Sequence, residues 1–162
     1  MSAGSPAAEH TLLVIGVGNR DRGDDAVGPV VCDLVAAAGL PGVDTLVFEG
    51  TVLDLPMHWG PADRVVIVDA AAPAGRPGRV TQVDATAQHL VAPNTASTHA
   101  VDVGAAVELA RALGRMPAEL SIVGIEGTSF GFGDELDPAV LRAARRIVAR
   151  ISRRAALATA DR

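Results

Sequence analysis

Arg64-Val65-Val66-Ile67-Val68-Asp69-Ala70 is a β-branched run that ends on an acid, and seven residues, Ala71 to Pro77, separate it from a second extended stretch, Gly78 to Val83. Four consecutive apolar β-branched positions suit a strand covered on both faces, as in the parallel sheets of α/β proteins. A parallel crossover takes a dozen or more residues, so a link of this length turns the chain back and the Gly78–Val83 strand is expected to run antiparallel. Working outward, the same alternation of short β-rich runs and longer helical patterns continues. Strands are expected at Thr11–Val17, Val43–Phe48 and Leu120–Ile125, and helices at Ala26–Ala38, Thr98–Leu113 and about Asp137–Arg154. Val52–Trp59 reads as a short helical turn, Asp84–Ser97 as a loop and Gly127–Gly133 as a glycine-rich loop. Gly39 is placed to stop the first helix. The final helix turns Val140, Ala144, Ile147, Val148 and Ile151 inward and Arg142, Arg145, Arg146, Arg150 and Arg153 outward, most simply as a solvated face. The expectation is an α/β domain with a mixed sheet.

The 162 residues suit one domain, here residues 11–155, after a flexible N-terminal arm (1–10) and before a short tail (156–162). A domain of this size buries ~70% of its extended surface and needs no staples. The single cysteine, Cys32, can form no internal bridge and sits inside a helix, so it reads as a small core residue in a reducing, cytoplasmic setting. No stretch is long and apolar enough for a membrane span or signal peptide. The net charge of −5 argues against sequence-independent nucleic-acid binding, which depends on basic residues neutralising phosphates. All 14 basic residues are arginine, which removes chemistries that need a Schiff-base or P-loop lysine. Tyrosine is absent, and Trp59, Phe48, Phe130 and Phe132 are too few to stack bases. No nucleic acid and no membrane are therefore expected as partners, and a monomer is the working expectation.

Gly16-Val17-Gly18-Asn19-Arg20-Asp21-Arg22-Gly23-Asp24-Asp25 follows the first strand. A dinucleotide cradle would need a third glycine where Asp21 stands, and three acids would repel a pyrophosphate, so no nucleotide cofactor is expected. In parallel sheets ligands bind at the carboxyl ends of the strands. That rule selects Asp24 and Asp25 after the first strand, Asp69 at the end of the third, and His99 in the Ser97-Thr98-His99 segment that opens the next helix. Two carboxylates and an imidazole form an open ligand set for a divalent cation such as nickel or zinc. Either Asp24 or Asp25 could instead cap the helix that follows, which would suit Pro29 in its first turn. His99 could equally be an ordinary first-turn residue, and His10, His58 and His89 stand in polar or loop contexts. Gly127-Thr128-Ser129-Phe130-Gly131 matches the nucleophile-elbow spacing, but no helix follows directly and no histidine comes later in the chain, so an esterase is rejected.

Taken together these residues resemble the hydrogenase maturation proteases, endopeptidases that trim the large subunit of nickel-iron hydrogenases. Gly16-Val17-Gly18-Asn19 with Gly23-Asp24-Asp25-Ala26-Val27-Gly28-Pro29 looks like the family's N-terminal motif, Glu49-Gly50-Thr51 its next glycine-rich turn, Ile67-Val68-Asp69-Ala70 its central strand and Ser97-Thr98-His99 its histidine loop. Val123-Gly124-Ile125-Glu126 and Leu136 with the last helix fit its closing pattern. The resemblance implies a three-layer α/β/α sandwich on a five-stranded mixed sheet with the fourth strand antiparallel. It implies that Asp25, Asp69 and His99 bind nickel carried in the substrate precursor; Asp25 and Asp69 are the catalytic candidates, of aspartyl type, with either Asp25 or Asp24 as the base of a metal-polarised attack or an aspartate acting while the metal only positions the substrate, and Gly50 and Thr51 are expected to meet substrate. The implied partner is a nickel-loaded large-subunit precursor whose C-terminal extension is removed. A rival of another class is a non-catalytic metal-sensing chaperone or recognition module for the same precursor. Arg20-Asp21-Arg22 stands where members usually carry apolar residues, and Glu49 where aspartate or glycine is usual.

Overall fold

The computed structural model describes residues 12–61, 63–89 and 98–160, with side chains from Val103 onward in the last segment. The expected N-terminal arm, Ser97 and the His99 side chain lie outside the described residues. Five strands form one sheet: β1 (Leu12–Val17), β2 (Val43–Phe48), β3 (Arg64–Ala71), β4 (Val80–Asp84) and β5 (Glu119–Glu126), in the order β2-β1-β3-β5-β4. β1 pairs in parallel with β2 and β3, β3 pairs in parallel with β5, and β4 lies antiparallel on β5 at the edge. The short link after β3 reverses the chain as its length requires.

Three helices cover the sheet: α1 (Val27–Ala38), α2 (Thr98–Ala112) and α3 (Pro138–Ala160). One apolar core joins α1 and α3 to a face that includes Val14, Val66, Val68 and Val123; the other joins α2 and the 3-10 segment Val52–Met57 to Ile15, Val65, Ile67 and Leu120. Successive residues of β3 thus go to opposite cores, and six of its eight residues are buried, which explains the unbroken apolar run Val65–Val68. Gly39 ends α1 in the left-handed conformation at φ 58°. Cys32 is buried at 1% exposure, and burial pushes its thiol up to about 11, so it behaves as a small apolar core residue.

Two differences from the sequence reading are physical. The helix expected from Ala26 begins as a separate 3-10 turn, Gly23–Ala26, before α1 starts at Val27. α3 runs beyond the expected end near Arg154 to Ala160, with Ala155 buried at 5%, because its alanine-rich last turns keep favouring helix after the arginines stop. The five arginines expected to face outward on α3 are all exposed.

α1 crosses β1 at backbone contact. A Cβ on Gly16 would lie 2.2 Å from the Gly28 carbonyl oxygen, and one on Gly28 would lie 2.4 Å from that of Val17. Only glycine at both positions lets the helix sit this close, which fixes where the loop between them projects.

Candidate functional site at the carboxyl ends of the strands

The parallel strands β1, β2, β3 and β5 end on one rim, and the loops after them carry the sequence-selected acids. Asp69 is the sixth residue of β3, one step beyond the last β1 partner of that strand, Val68 opposite Gly16. It is 4% exposed, and its Oδ1 accepts the Ala70 N–H at 2.8 Å. Asp25 lies in the 3-10 turn after β1, is 5% exposed, and accepts the Asn19 N–H on Oδ2 at 2.9 Å. Gly18 makes that fold-back possible: its φ is 137°, and a Cβ there would fall 2.0 Å from the Asp25 carbonyl oxygen. The turn packs against β3, so Asp25 and Asp69 occupy neighbouring strand ends. His99 falls in the first turn of α2, with its side chain outside the described residues. Among the described residues no group of three His, Cys, Asp or Glu forms a metal cluster. Gly50 and Thr51 are exposed after β2, where the Thr51 carbonyl accepts the Asp54 N–H at 2.8 Å.

Asp24 does something else. Neither the 3-10 turn nor α1 has a side-chain cap, so the capping reading of Asp24 or Asp25 is corrected. Asp24 is fully buried and faces the loop after β5: its Oδ2 accepts the Thr128 N–H at 2.7 Å, the Thr128 hydroxyl at 3.0 Å and the Ser129 N–H at 3.2 Å. Its Oδ1 accepts the Asp137 N–H at 2.7 Å. Burial works against the ionised form, but the hydrogen bonds from Thr128, Asp137 and Ser129 outweigh it and hold the carboxyl below its ordinary value. Asp24 is thereby a latch between the loops after β1 and β5. Asp137 in turn starts α3 by accepting the Ala139 N–H at 2.7 Å, ahead of Pro138.

Glu126, the last residue of β5, is the second latch. Its Oε1 accepts the Ala74 and Arg76 N–H groups, each at 2.6 Å, and so holds the link between β3 and β4. The Arg76 bond, opposed by burial and helped by Ala74, lowers its carboxyl below the ordinary value. The sequence held the signal, an acid closing an apolar strand as Asp69 does, and the rule that selected one selects the other. Ser129 of the rejected elbow donates to Asp134, and the chain continues as a loop to Pro138, so no nucleophile elbow is built. His58 stacks edge-on to Phe48, the last residue of β2, with ring centroids 5.2 Å apart, and His89 pairs with Glu108 at 3.2 Å.

Because the folded values of Asp24 and Glu126 are both lowered, each stabilises the fold above the ordinary carboxylate range, and that contribution disappears as pH falls through the folded values. The urea midpoint is expected to drop steeply below about pH 4, and a Glu126→Gln variant should show a shallower acid dependence than the wild type. An equal slope in the variant would remove Glu126 from the acid response.

A family model described as hydrogenase maturation protease matches residues 48–154. Among solved structures, an endopeptidase from Escherichia coli is 24% identical, with 87% of this chain and 89% of that one covered at a TM-score of 0.72. A hydrogenase 2 maturation peptidase from a thaumarchaeotal archaeon is 27% identical, covering 87% of this chain and 95% of that one at 0.61. A [NiFe] hydrogenase maturation protease from Thermococcus kodakarensis is 23% identical, covering 90% and 99% at 0.64. No curated protein sequence matches the chain. With the family model spanning well over half of its length, this chain belongs to the hydrogenase maturation protease family.

Proposed function

We propose that the chain is a cytoplasmic endopeptidase that removes the C-terminal extension from a nickel-loaded large-subunit precursor of a [NiFe] hydrogenase. The observation that carries this reading is the placement of two nearly buried carboxylates, Asp25 and Asp69, on adjoining strand ends in a chain of this family. Burying a carboxylate costs free energy that only hydrogen bonds, a partner charge or a bound cation offset, and here both acids sit where ligands of parallel sheets bind.

Nickel belongs to the substrate in this reading, and the donor set suits it: two carboxylates from Asp25 and Asp69, with the His99 imidazole from the first turn of α2. Asp25 is held by a single bond through Oδ2, and among the described residues Oδ1 accepts nothing, so one oxygen is left for an incoming ligand or proton. Hydrolysis breaks the amide C–N bond and joins a water oxygen to the carbonyl carbon; one water proton must be taken up and one delivered to the leaving amine. Asp25 and Asp69 are the groups assigned to that proton traffic. Asp24 has no part in it, since four hydrogen bonds occupy its carboxylate. Gly50 and Thr51, exposed after β2, are assigned to contact with the substrate backbone.

Incubating the purified chain with a nickel-loaded precursor and following the precursor by mass spectrometry tests the proposal. Loss of a C-terminal fragment, absent with nickel-free precursor, is the expected result. A stable complex that leaves the precursor mass unchanged would identify a recognition module instead.

A further inference from the structure

The loops after β1 and β5 meet in a ridge beside Asp25, and this ridge presents an aromatic ring to solvent. Phe132 is 72% exposed, more than any other large apolar side chain among the described residues. Its ring is nonetheless held. The Arg22 guanidinium lies 4.5 Å from the ring centroid, the Arg22 Nε donates to the Phe130 carbonyl at 3.3 Å, and the Gly133 N–H donates to the Asp21 carbonyl at 2.9 Å. The Arg22 carbonyl accepts the Asp25 N–H at 3.1 Å, so the stacked pair stands one turn from a proposed site carboxylate.

Resting on the proposed function, we infer that Phe132 and Arg22 anchor the large-subunit precursor, taking an apolar side chain on the ring and a carboxylate on the guanidinium. Exposing a phenyl ring to water is unfavourable, and a fold that also fixes its orientation has removed most of the entropy a partner would otherwise spend in ordering it. Aromatic and arginine side chains are the types that dominate protein interfaces. The terminal nitrogens of Arg22 donate to nothing among the described residues, whereas Arg20 beside it is already committed to both Asp33 oxygens. Arg22 therefore offers an open fork, which matches a carboxylate in two hydrogen bonds. A protein substrate explains why such a surface is needed beside the site, because a folded precursor is recognised over more than its scissile residues.

The test compares Phe132→Ala, Arg22→Ala and their combination with the wild type on a nickel-loaded precursor, reading KM and kcat separately together with precursor binding. Phe132→Ala is expected to raise KM about tenfold and leave kcat within about twofold, as loss of an interface anchor does. The double variant should lose less than the product of the single losses, since the two side chains act as one unit. Phe132→Tyr, which keeps the ring, should restore KM, and Leu157→Ala, 69% exposed at the far end of α3, should have no effect. Unchanged KM and binding in Phe132→Ala, with the wild type active, overturns the anchor and leaves the proposed function standing. A wild type that neither binds nor cleaves the precursor overturns both.

Discussion

Asp69→Asn is expected to lower precursor processing by about a hundredfold or more, while thermal unfolding stays close to that of the wild type. The substitution is isosteric, and the oxygen that accepts the Ala70 N–H at 2.8 Å is retained, so the end of β3 keeps its geometry. What is lost is the negative charge of a side chain only 4% exposed, next to the turn that carries Asp25. Removing a group that moves a proton or holds a charged substrate commonly costs about 10²–10⁴ in rate. Single-turnover assays by mass spectrometry, run beside a melting curve, give the answer. Processing at the wild-type rate would take Asp69 out of the reaction.

The second large effect belongs to stability. Asp24→Ala strips the acceptor from the Thr128, Ser129 and Asp137 N–H groups in a fully buried place. A fully buried donor left without a partner costs about 1–3 kcal/mol; here the donors sit on exposed or half-buried residues that can turn partly to water, so a loss of about 2–4 kcal/mol is expected once the loop has relaxed. For a chain of this length that corresponds to a melting temperature lower by about 10 °C. Because the latch holds the loop that presents Phe132, limited proteolysis between residues 127 and 137 should also accelerate. A change under about 1 kcal/mol would mean that the loop is held by other contacts.

The course of the sheet was legible because its information is local. A β-branched run such as Val65–Val68 suits only a strand covered on both faces, and a seven-residue link cannot carry a parallel crossover. Asp69 was legible for the same reason, as a charge at the end of an apolar strand. Asp24 was not: its partners stand more than one hundred residues away, and a rule about neighbouring residues reads such an acid as a cap. The tertiary bonds won because a carboxylate can serve either the helix behind it or the loop in front of it. The end of α3 was missed because hydrophobic periodicity fades after Ile151, whereas the helix continues on alanine. The Arg22–Phe132 pair joins loops 110 positions apart, and nothing local announces it. The proposed ligand set as a whole depends on His99, whose side chain lies outside the described residues.

The reversal of β4 has a consequence for how relatives of this chain can diverge. By turning back at the edge, the chain adds a fourth wall, residues 72–79, beside the three loops that leave β1, β2 and β5, and the Glu126 side chain fastens that wall through the main-chain N–H groups of Ala74 and Arg76. Gly75 and Gly78 are held to glycine by their positive φ, and Gly78 also by its approach to the Ala139 carbonyl, whereas the N–H bonds to Glu126 leave most other side chains of the wall open to change. New specificities can be tried on this border at little cost to folding, with the chemistry of the strand ends left as it was.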